Sequence, residues 1–334
     1  MIHGNHSTLQ MPSWQNQLAR SIKDPEQLLK ALELPLEYLP AMQLAHQSFP
    51  LRVTQSYLNR IEKNNINDPL LRQILPWAEE NVRNIDFSLD PVGDKNAEIE
   101  PGLLHKYKNR VLLTLTAACG IHCRYCFRRH FDYSTSNASK HWQKSLSYIQ
   151  DHRDISEVIL SGGDPLSLSD LRLEAMIKDV ADISHVNTLR IHTRQIIVLP
   201  ERVDKNLLRW AKNSQIKIVF VVHINHPNEI DLDVQQALNQ LANIGITLLN
   251  QSVLLRGIND SVEILSKLSQ KLFSSNVMPY YIHMLDKVQG AAHFEVKETF
   301  ASQLIDGLRK ELPGYLVPKL VKELPNEASK IPVI

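Results

Sequence analysis

The sequence has 334 residues, with 37 Lys and Arg residues against 36 Asp and Glu residues, which gives a formal net charge of +1. This balance argues against a broad nucleic-acid surface. No apolar run is long enough to cross a membrane, and the first residues lack the apolar core of a secretion signal. The length permits one large domain or two small ones. Three cysteines without a secretion signal predict a cytoplasmic protein.

Residues 1–100 form the first predicted region, a set of short helices joined by turns. Asp24-Pro25 and Asp68-Pro69 are typical helix starts, because aspartate caps a helix and proline suits its first turn. Ser13 is predicted to cap a further helix. Residues 86–102 contain prolines and glycines without periodicity, which indicates an irregular linker. The region carries no recognisable chemical motif, and we expect it to cover one end of a catalytic core.

All three cysteines, Cys119, Cys123 and Cys126, lie within one short stretch that follows an apolar run. Their C-x3-C-x2-C spacing allows three thiolates to converge on one soft centre, either zinc or an iron–sulfur cluster. A structural zinc usually has four protein ligands, so His122 or His130 would have to complete the set. A [4Fe–4S] cluster on three cysteines would leave one iron without a protein ligand. The remaining alternative is three thiols with no common partner.

From residue 110 onward, short apolar runs rich in β-branched residues alternate with helical patterns, which is typical of βαβ units and a parallel sheet. The six predicted strands are 111–116, 158–160, 189–192, 218–224, 246–255 and 280–285. Six strands are too few for a closed eightfold barrel and suit an open (β/α)6 barrel, whose functional residues follow the carboxyl ends of the strands. The predicted core spans residues 101–312. Residues 313–334 form a C-terminal segment with an extended piece at 315–321.

Polar residues follow several of these strands. Ser161-Gly162-Gly163-Asp164-Pro165 follows the second strand, and its two glycines let the backbone approach a ligand closely. An ordinary strand-to-helix turn is the alternative. His223 and His226 follow the fourth strand. They could bind a metal ion, but a hydrogen-bonded cluster at a strand end explains them better.

The cysteine spacing after a first strand resembles the signature of radical S-adenosylmethionine (SAM) enzymes. The stretches Lys106-Tyr107-Lys108-Asn109-Arg110-Val111-Leu112-Leu113 and Cys126-Phe127-Arg128-Arg129 resemble the lysine 2,3-aminomutases. The similarity extends over about residues 51–330, and the sequence is most similar to the short branch that supplies β-lysine for modifying translation elongation factor P. The resemblance implies an open (β/α)6 partial TIM barrel of the radical SAM type with an N-terminal helical extension. It also implies three cofactors: a [4Fe–4S] cluster, SAM and pyridoxal phosphate (PLP).

The resemblance assigns cofactor contacts. The cluster ligands would be Cys119, Cys123 and Cys126. The Gly-Gly-acid-Pro motif that positions the amino group of SAM would include Gly162, Gly163 and Asp164. Arg110 matches an active-site arginine near the adenosyl end, and Lys106-Tyr107 could help to hold a cofactor phosphate. Lys330 aligns with the lysine that carries PLP as a Schiff base, although the family often has a glycine run where this sequence has residues 325–329.

The resemblance also implies the substrate contacts and the reaction. Arg128 matches the arginine that binds the substrate α-carboxylate, a task that suits a two-pronged guanidinium. Asp286 and Glu323 stand where the family has two aspartates for the ε-ammonium, and Glu323 is one methylene longer. The expected reaction converts (S)-α-lysine to (R)-β-lysine through a 5′-deoxyadenosyl radical that removes hydrogen from the β-carbon. An external electron donor is required, and a separate ligase would pass the product to elongation factor P.

Three other functions stay open at this point. The protein could be a lysine 2,3-aminomutase of lysine catabolism. It could be an aminomutase for another amino acid such as glutamate, although two pocket acids would suit that substrate poorly. It could also be a non-enzymatic metal-binding module, and analysis for iron and sulfide would distinguish that case from a cluster enzyme.

Overall fold

One open sheet runs through the part of the chain that the computed structural model describes, residues 14–333. Its ten strands are β1 Glu98–Glu100, β2 Leu103–Tyr107, β3 Arg110–Thr114, β4 Glu157–Ser161, β5 Thr188–Thr193, β6 Lys217–His223, β7 Thr247–Val253, β8 Met278–His283, β9 Lys319–Lys322 and β10 Ile331–Pro332. They lie side by side in chain order, and neighbours from β3 through β9 are parallel. Within residues 14–333, β1 and β10 do not pair with each other, so the sheet stays open.

This arrangement confirms the predicted open barrel. The six predicted strands correspond to β3 through β8, with small shifts at their ends. The C-terminal segment is more closely joined to the core than expected, because β9 pairs in parallel with β8 as a seventh parallel strand. The predicted linker at 86–102 is also partly regular, since it contains β1 and a short helix at Asp94–Ala97.

Helices cover the outside of the sheet and one of its ends. They are α1 Trp14–Ala19, α2 Pro25–Ala31, α3 Leu39–Ser48, α4 Gln55–Leu58, α5 Pro69–Arg72, α6 Asp94–Ala97, α7 Trp142–Asp151, α8 Asp170–Ala181, α9 Gln195–Val198, α10 Lys205–Asn213, α11 Leu232–Asn243, α12 Val262–Ser274 and α13 Glu298–Glu311. None of the helices in the described range is both long and apolar enough to cross a membrane.

The alternation of side chains along a strand separates the core from an inner cavity. On β5, Leu189 and Ile191 are fully buried in the main hydrophobic core, which lies between the sheet and its helices. Arg190 and His192, which alternate with them, line the cavity on the other face. The strands therefore present their polar side chains to the inside of the open barrel.

The N-terminal helices pack over the cysteine loop. The predicted caps are present, since Asp24 accepts a hydrogen bond from the backbone of Glu26 at 3.2 Å and Asp68 accepts one from Leu70 at 2.8 Å. Ser13 lies outside the described residues. The apolar side chains of these helices form a second core that includes Ile121 of the cysteine loop. The N-terminal region thus covers the end of the barrel from which that loop projects.

A buried carboxylate ties this cover to the cysteine loop. Glu80 accepts hydrogen bonds from Arg124 Nε at 2.8 Å and Arg124 Nη2 at 2.7 Å. Its Oε2 also accepts one from Arg129 Nη2 at 2.7 Å. All three charged side chains are almost fully buried. One buried carboxylate therefore pairs with two buried guanidinium groups.

We expect Glu80→Ala to lower the free energy of unfolding of the metal-free protein by about 3–5 kcal/mol, because it leaves two buried arginines without their anionic partner. Urea denaturation measures this loss. The control is Glu79→Ala, because Glu79 is the exposed neighbour in the chain and its removal should change stability by less than about 0.5 kcal/mol. Equal stabilities of the two variants would contradict the structural importance of this ion cluster.

Candidate active site

A cavity of about 520 Å³ runs inside the open barrel. Every residue predicted for the site lines it, from the three cysteines at one end to the C-terminal lysine. They are Cys119, Cys123, Cys126, Gly162, Gly163, Asp164, Arg110, Arg128, Asp286, Glu323 and Lys330. Residues far apart in sequence therefore share one chamber, although their individual roles stay predictions.

The cysteine loop projects from the carboxyl end of β3. All three thiols are free and partly buried. The loop is fixed by backbone hydrogen bonds, from Arg124 N to Gln73 O at 2.9 Å and from Cys126 N to Cys123 O at 3.0 Å. Burial, together with nearby negative charge, raises the pKa of Cys119 well above its usual range and that of Cys126 to about 11. Such thiols ionise readily only when a cation binds them.

The structure gives no support to a four-ligand zinc site. His122 Nδ1 lies 2.7 Å from the carbonyl oxygen of Pro50, and its ring stacks on Phe49. His130 Nε2 lies 3.2 Å from the carbonyl oxygen of Gln289. Across residues 14–333, no group of three or more His, Cys, Asp or Glu side chains is arranged to hold a single metal ion. The chemistry of three free thiols on one loop fits a cluster with three protein ligands better.

The pair His223 and His226 does not form a metal site either. His226 accepts a hydrogen bond from the backbone of Asn228 at 3.2 Å and caps the turn after β6. His223 instead lines the cavity, where its Nε2 is hydrogen-bonded to the side-chain amide of Gln251. The hydrogen bonds of both histidines therefore favour the predicted strand-end cluster over a metal site.

The glycines at 162 and 163 are required by close approach of the backbone. A Cβ atom at Gly162 would lie 2.9 Å from the backbone nitrogen of Leu115, and one at Gly163 would lie 2.5 Å from the carbonyl oxygen of Ala118. Gly162 also has a φ angle of +120°, which disfavours any other residue. The turn after β4 is thereby pressed against the start of the cysteine loop.

The Asp164 carboxylate is saturated by protein donors. It accepts hydrogen bonds from the hydroxyl of Thr193 at 2.8 and 2.9 Å, and from the backbone N–H groups of Arg194 at 2.7 Å, Gln195 at 2.8 Å and Leu166 at 3.0 Å. Burial outweighs these bonds and raises the pKa of Asp164 to about 6. Its side chain therefore fixes the turn after β5, and its contact with SAM stays a prediction.

A chain of alternating charges joins Arg128 to Lys330. Arg128 Nε donates to Asp94 Oδ2 at 2.8 Å, and Asp94 Oδ1 lies 2.6 Å from Lys106 Nζ. Lys106 Nζ also donates to Glu323 Oε1 at 3.0 Å, and Glu323 Oε2 accepts a hydrogen bond from Lys330 Nζ. The chain of charges thus joins Lys106 on β2 to Glu323, which directly follows β9. Asp94 carries no sequence signal for this role, because the residue lies in a segment that shows no periodicity.

The two predicted substrate acids have opposite pKa shifts. Burial, reinforced by the charge of Glu323, raises the pKa of Asp286 to about 7. Burial also opposes ionisation of Glu323, but Lys330 and Lys106 outweigh it and lower the pKa of Glu323 to about 2. At neutral pH Glu323 is therefore ionised, whereas the pKa of Asp286 lies close to the pH.

Lys330 reaches the cavity through a short hairpin. β10 pairs antiparallel with β9, so the chain turns back between Glu323 and Lys330. Asn326 occupies the left-handed region with a φ angle of +66°, a conformation that asparagine tolerates better than most residues. The absence of a glycine run before Lys330 is thereby explained, because one asparagine permits the turn.

Arg110 lies away from the cysteines. It begins β3, whereas the cysteine loop follows the other end of that strand, about 13 Å away at 3.3 Å per residue. Its guanidinium stacks on the ring of Tyr107, with 4.4 Å between the guanidinium carbon and the ring centroid. Arg110 therefore lines the cavity from the amino end of a strand, and its role near the adenosyl end stays a prediction.

Two further histidines line the cavity and were not singled out from the sequence. His192 ends the inward row of β5, and His283 ends β8. Burial lowers the pKa of each well below its usual range, so both rings are neutral at pH 7. Neither Nε2 atom has a hydrogen-bond partner among the described residues. They present uncharged polar groups to the cavity.

Comparison with known proteins defines the class. No protein-family model matches the chain. The chain is 46% identical over 331 residues to the L-lysine 2,3-aminomutase of Escherichia coli. The aligned residues cover 98% of this chain and 96% of the relative. It is 45% identical over 319 residues to that of Haemophilus influenzae, with 95% and 94% covered. It is 36% identical over 323 residues to that of Clostridium subterminale, with 96% and 77% covered.

The fold and the cavity define a protein with a ligand chamber inside an open parallel barrel. The relatives make this assignment specific: the chain belongs to the lysine 2,3-aminomutase family, and it is an isomerase.

Solved structures show weaker similarity. A radical SAM methyltransferase from Sphaerobacter thermophilus superimposes with a TM-score of 0.46 at 12% identity, over 66% of this chain and 68% of the other. A spore photoproduct lyase in complex with dinucleoside spore photoproduct gives a TM-score of 0.43 at 14% identity, over 89% and 96% of the two chains. The fold assignment therefore rests on the strand order of the protein itself.

Proposed function

We propose that the protein is a radical SAM, PLP-dependent lysine 2,3-aminomutase that converts (S)-α-lysine to (R)-β-lysine. The observation that carries this proposal is the single cavity, which joins a loop of three free thiols to a chain of charges ending at Lys330. A radical reaction on an amino acid needs a redox centre and an amine-binding group within reach of one substrate.

The residues present fit the proposed cofactors. Cys119, Cys123 and Cys126 would hold a [4Fe–4S] cluster, and the turn at Gly162 and Gly163 would contribute to binding SAM. Lys330 would hold PLP, because its amine lines the cavity, where Glu323 accepts a hydrogen bond from it. When bound, the cluster with SAM supplies a carbon radical, and PLP supplies the conjugation through which an amino group migrates.

Arg128 is suited to hold the substrate α-carboxylate. Its Nε and Nη1 atoms are fixed by Asp94 and by the hydroxyl of Ser161, the latter at 3.2 Å. The guanidinium also stacks on Phe127 at 4.8 Å. Its Nη2 atom has no hydrogen-bond partner within residues 14–333, so a pre-oriented donor remains for an anionic ligand.

The charge balance around Glu323 favours a substrate with a second ammonium group. Glu323 is paired with Lys330 and Lys106. The ε-ammonium of lysine would add a cation that Glu323 and Asp286 could both pair with. Glutamate would instead bring another anion to a site that already holds two acids.

The product of this branch is proposed to serve elongation factor P. The chain is 45–46% identical to the aminomutases of Escherichia coli and Haemophilus influenzae, and 36% identical to that of Clostridium subterminale. This pattern supports the branch assigned from the sequence, in which a separate ligase attaches β-lysine to the factor. An external low-potential donor would reduce the cluster.

The test is an anaerobic reaction of the reconstituted enzyme with isotopically labelled lysine, followed by chiral analysis of the product. We expect labelled (R)-β-lysine, and we expect the label on elongation factor P once the ligase and the factor are added. Formation of the other enantiomer, or a product that the ligase rejects, would contradict the role in elongation factor P modification. Absence of β-lysine from a cluster- and PLP-loaded enzyme would contradict the activity itself.

The kcat/KM for lysine is expected to rise with pH and to level off above about pH 7. Asp286 attracts an ammonium group only when its carboxyl group is ionised, and burial raises the pKa of Asp286 to about 7. Below that pH, kcat/KM should fall up to about tenfold per unit. Asp286→Asn should remove this dependence and lower kcat/KM by roughly one to three orders of magnitude, since losing one partner of a desolvated charge pair costs about 2–5 kcal/mol.

The control for this pH profile is Asp306→Asn, which changes an exposed aspartate on α13. It should behave like the unaltered enzyme at every pH. If Asp286→Asn also retains the complete profile, the ε-ammonium is bound elsewhere and the assignment of lysine loses its main support in the cavity.

A further inference from the structure

The turn after β5 directs a buried arginine at a cysteine sulfur. Arg194 Nη1 donates to Cys123 Sγ at 2.7 Å, and the arginine is only 7% exposed. Its other terminal nitrogen, Nη2, donates to Gln73 Oε1 at 2.7 Å and to Glu229 Oε2 at 2.8 Å. The hydrogen bonds of Nη2 to Gln73 and Glu229 thus fix the orientation of the guanidinium. It cannot rotate away from the Cys123 thiol without breaking them.

The next residue carries a second donor that the protein leaves unused. Gln195 is 0% exposed, and neither atom of its amide has a hydrogen-bond partner in the described part of the chain. Leaving a buried polar group unpaired destabilises the folded protein. The amide lines the cavity against the cysteine loop, where a Cβ atom at Gly120 would lie 2.7 Å from Gln195 Oε1, and rotation of the unpaired amide by 180° places its N–H group at the same position. Such a group indicates a ligand at this position.

Both residues are held in place by the acid of the Gly-Gly-acid-Pro turn. The Asp164 carboxylate accepts the backbone N–H groups of Arg194 at 2.7 Å and Gln195 at 2.8 Å. The turn that carries the two donors is therefore rigid, and its position relative to the cysteine loop is set by the close backbone approach at Gly163.

We propose that Arg194 and Gln195 donate hydrogen bonds to the sulfur atoms of the cluster held by Cys119, Cys123 and Cys126, and that these bonds set its reduction potential. The proposal rests on the proposed function, since it requires the cluster. Donors directed at thiolate or sulfide stabilise the more negative, reduced state and so raise the potential. The couple transfers one electron from a low-potential donor and takes the cluster from the 2+ to the 1+ state, and no bond is broken.

A purely structural role for the two residues makes a different prediction. If Arg194 only neutralised Glu229, a lysine in its place would preserve the charge and leave the cluster unchanged. If Gln195 only filled space, leucine would replace it without effect on the cluster. Because the Gln195 amide bonds to no described residue, Gln195→Leu leaves no protein group unpaired, so we expect the metal-free variant to be at least as stable as the unaltered protein.

The experiment is a dithionite titration of the reconstituted, SAM-free enzyme, followed by electron paramagnetic resonance. We expect the midpoint potential to become more negative in Arg194→Lys by about 59 mV, which is a tenfold change in a one-electron equilibrium. Gln195→Leu should shift it in the same direction. The control Gln236→Leu, at an exposed glutamine of α11, should leave it unchanged.

Equal midpoint potentials in the unaltered enzyme and in Gln195→Leu and Arg194→Lys would overturn the inference, while the cluster and the aminomutase activity would stand. If Arg194→Lys does not fold, an unshifted Gln195→Leu still overturns the role of the glutamine. A reconstituted protein without iron and sulfide would refute the proposed function, and the inference would fall with it.

Discussion

Replacement of Cys119, Cys123 or Cys126 by alanine is expected to abolish lysine turnover. The structure places the three thiols on one loop at the end of the cavity, with no fourth cysteine in the chain to substitute for a lost ligand. Losing even an outer partner of a metal ligand typically reduces affinity or activity by about 10–100-fold, and losing a ligand should exceed that. Iron and sulfide content, the electronic spectrum and turnover are measured on anaerobically reconstituted protein.

The control is Ser134→Ala, at an exposed serine downstream of the loop. This variant should take up iron and sulfide normally and remain active. Full activity and full iron content in any one of the three cysteine variants would show that the thiol concerned is not a ligand, and the cluster would then have to be assigned differently.

Lys330→Ala is expected to lose the visible absorbance of lysine-bound PLP and most of its turnover, because the amine that forms the Schiff base is removed. The Lys330 amine faces the cavity and is paired with Glu323. Borohydride reduction of the unaltered enzyme should fix PLP to the peptide that contains residue 330. Lys319→Ala is the matched control, because Lys319 is an exposed lysine of the neighbouring strand β9.

Lys106 is the physical competitor in this experiment. Its amine lies 3.0 Å from the same carboxylate, Glu323, and it also lines the cavity. PLP fixed to Lys106 after reduction would therefore contradict the assignment of Lys330, and normal absorbance in Lys330→Ala would do the same.

The sequence alone predicts those parts of the fold that depend on local patterns. The six apolar runs identify β3 through β8 because each strand has its own apolar signal and is followed by a helix. The aspartate caps of α2 and α5 are equally local, since each carboxylate bonds to the backbone a few residues away. The cysteine loop is recognisable for the same reason.

The contacts that complete the site are not local. Lys106 and Glu323 are 217 residues apart, and their pairing depends on the addition of β9 to the sheet, which short apolar patterns do not specify. Asp94 lies in a segment of mixed turns, and the unused amide of Gln195 is evident only from the packing around Gly120. These side chains carry no sequence signal because their roles arise from the three-dimensional neighbours that the fold gives them.

Transfer of deuterium from the β-carbon of lysine tests the central claim most directly, namely that both ends of the cavity act on one substrate. The reconstituted enzyme is incubated anaerobically with SAM, PLP, dithionite and lysine deuterated at carbon 3. We predict β-lysine together with deuterium at the 5′ position of the recovered SAM. Formation of β-lysine without deuterium in SAM, or loss of the deuterium to solvent, would contradict a shared radical site.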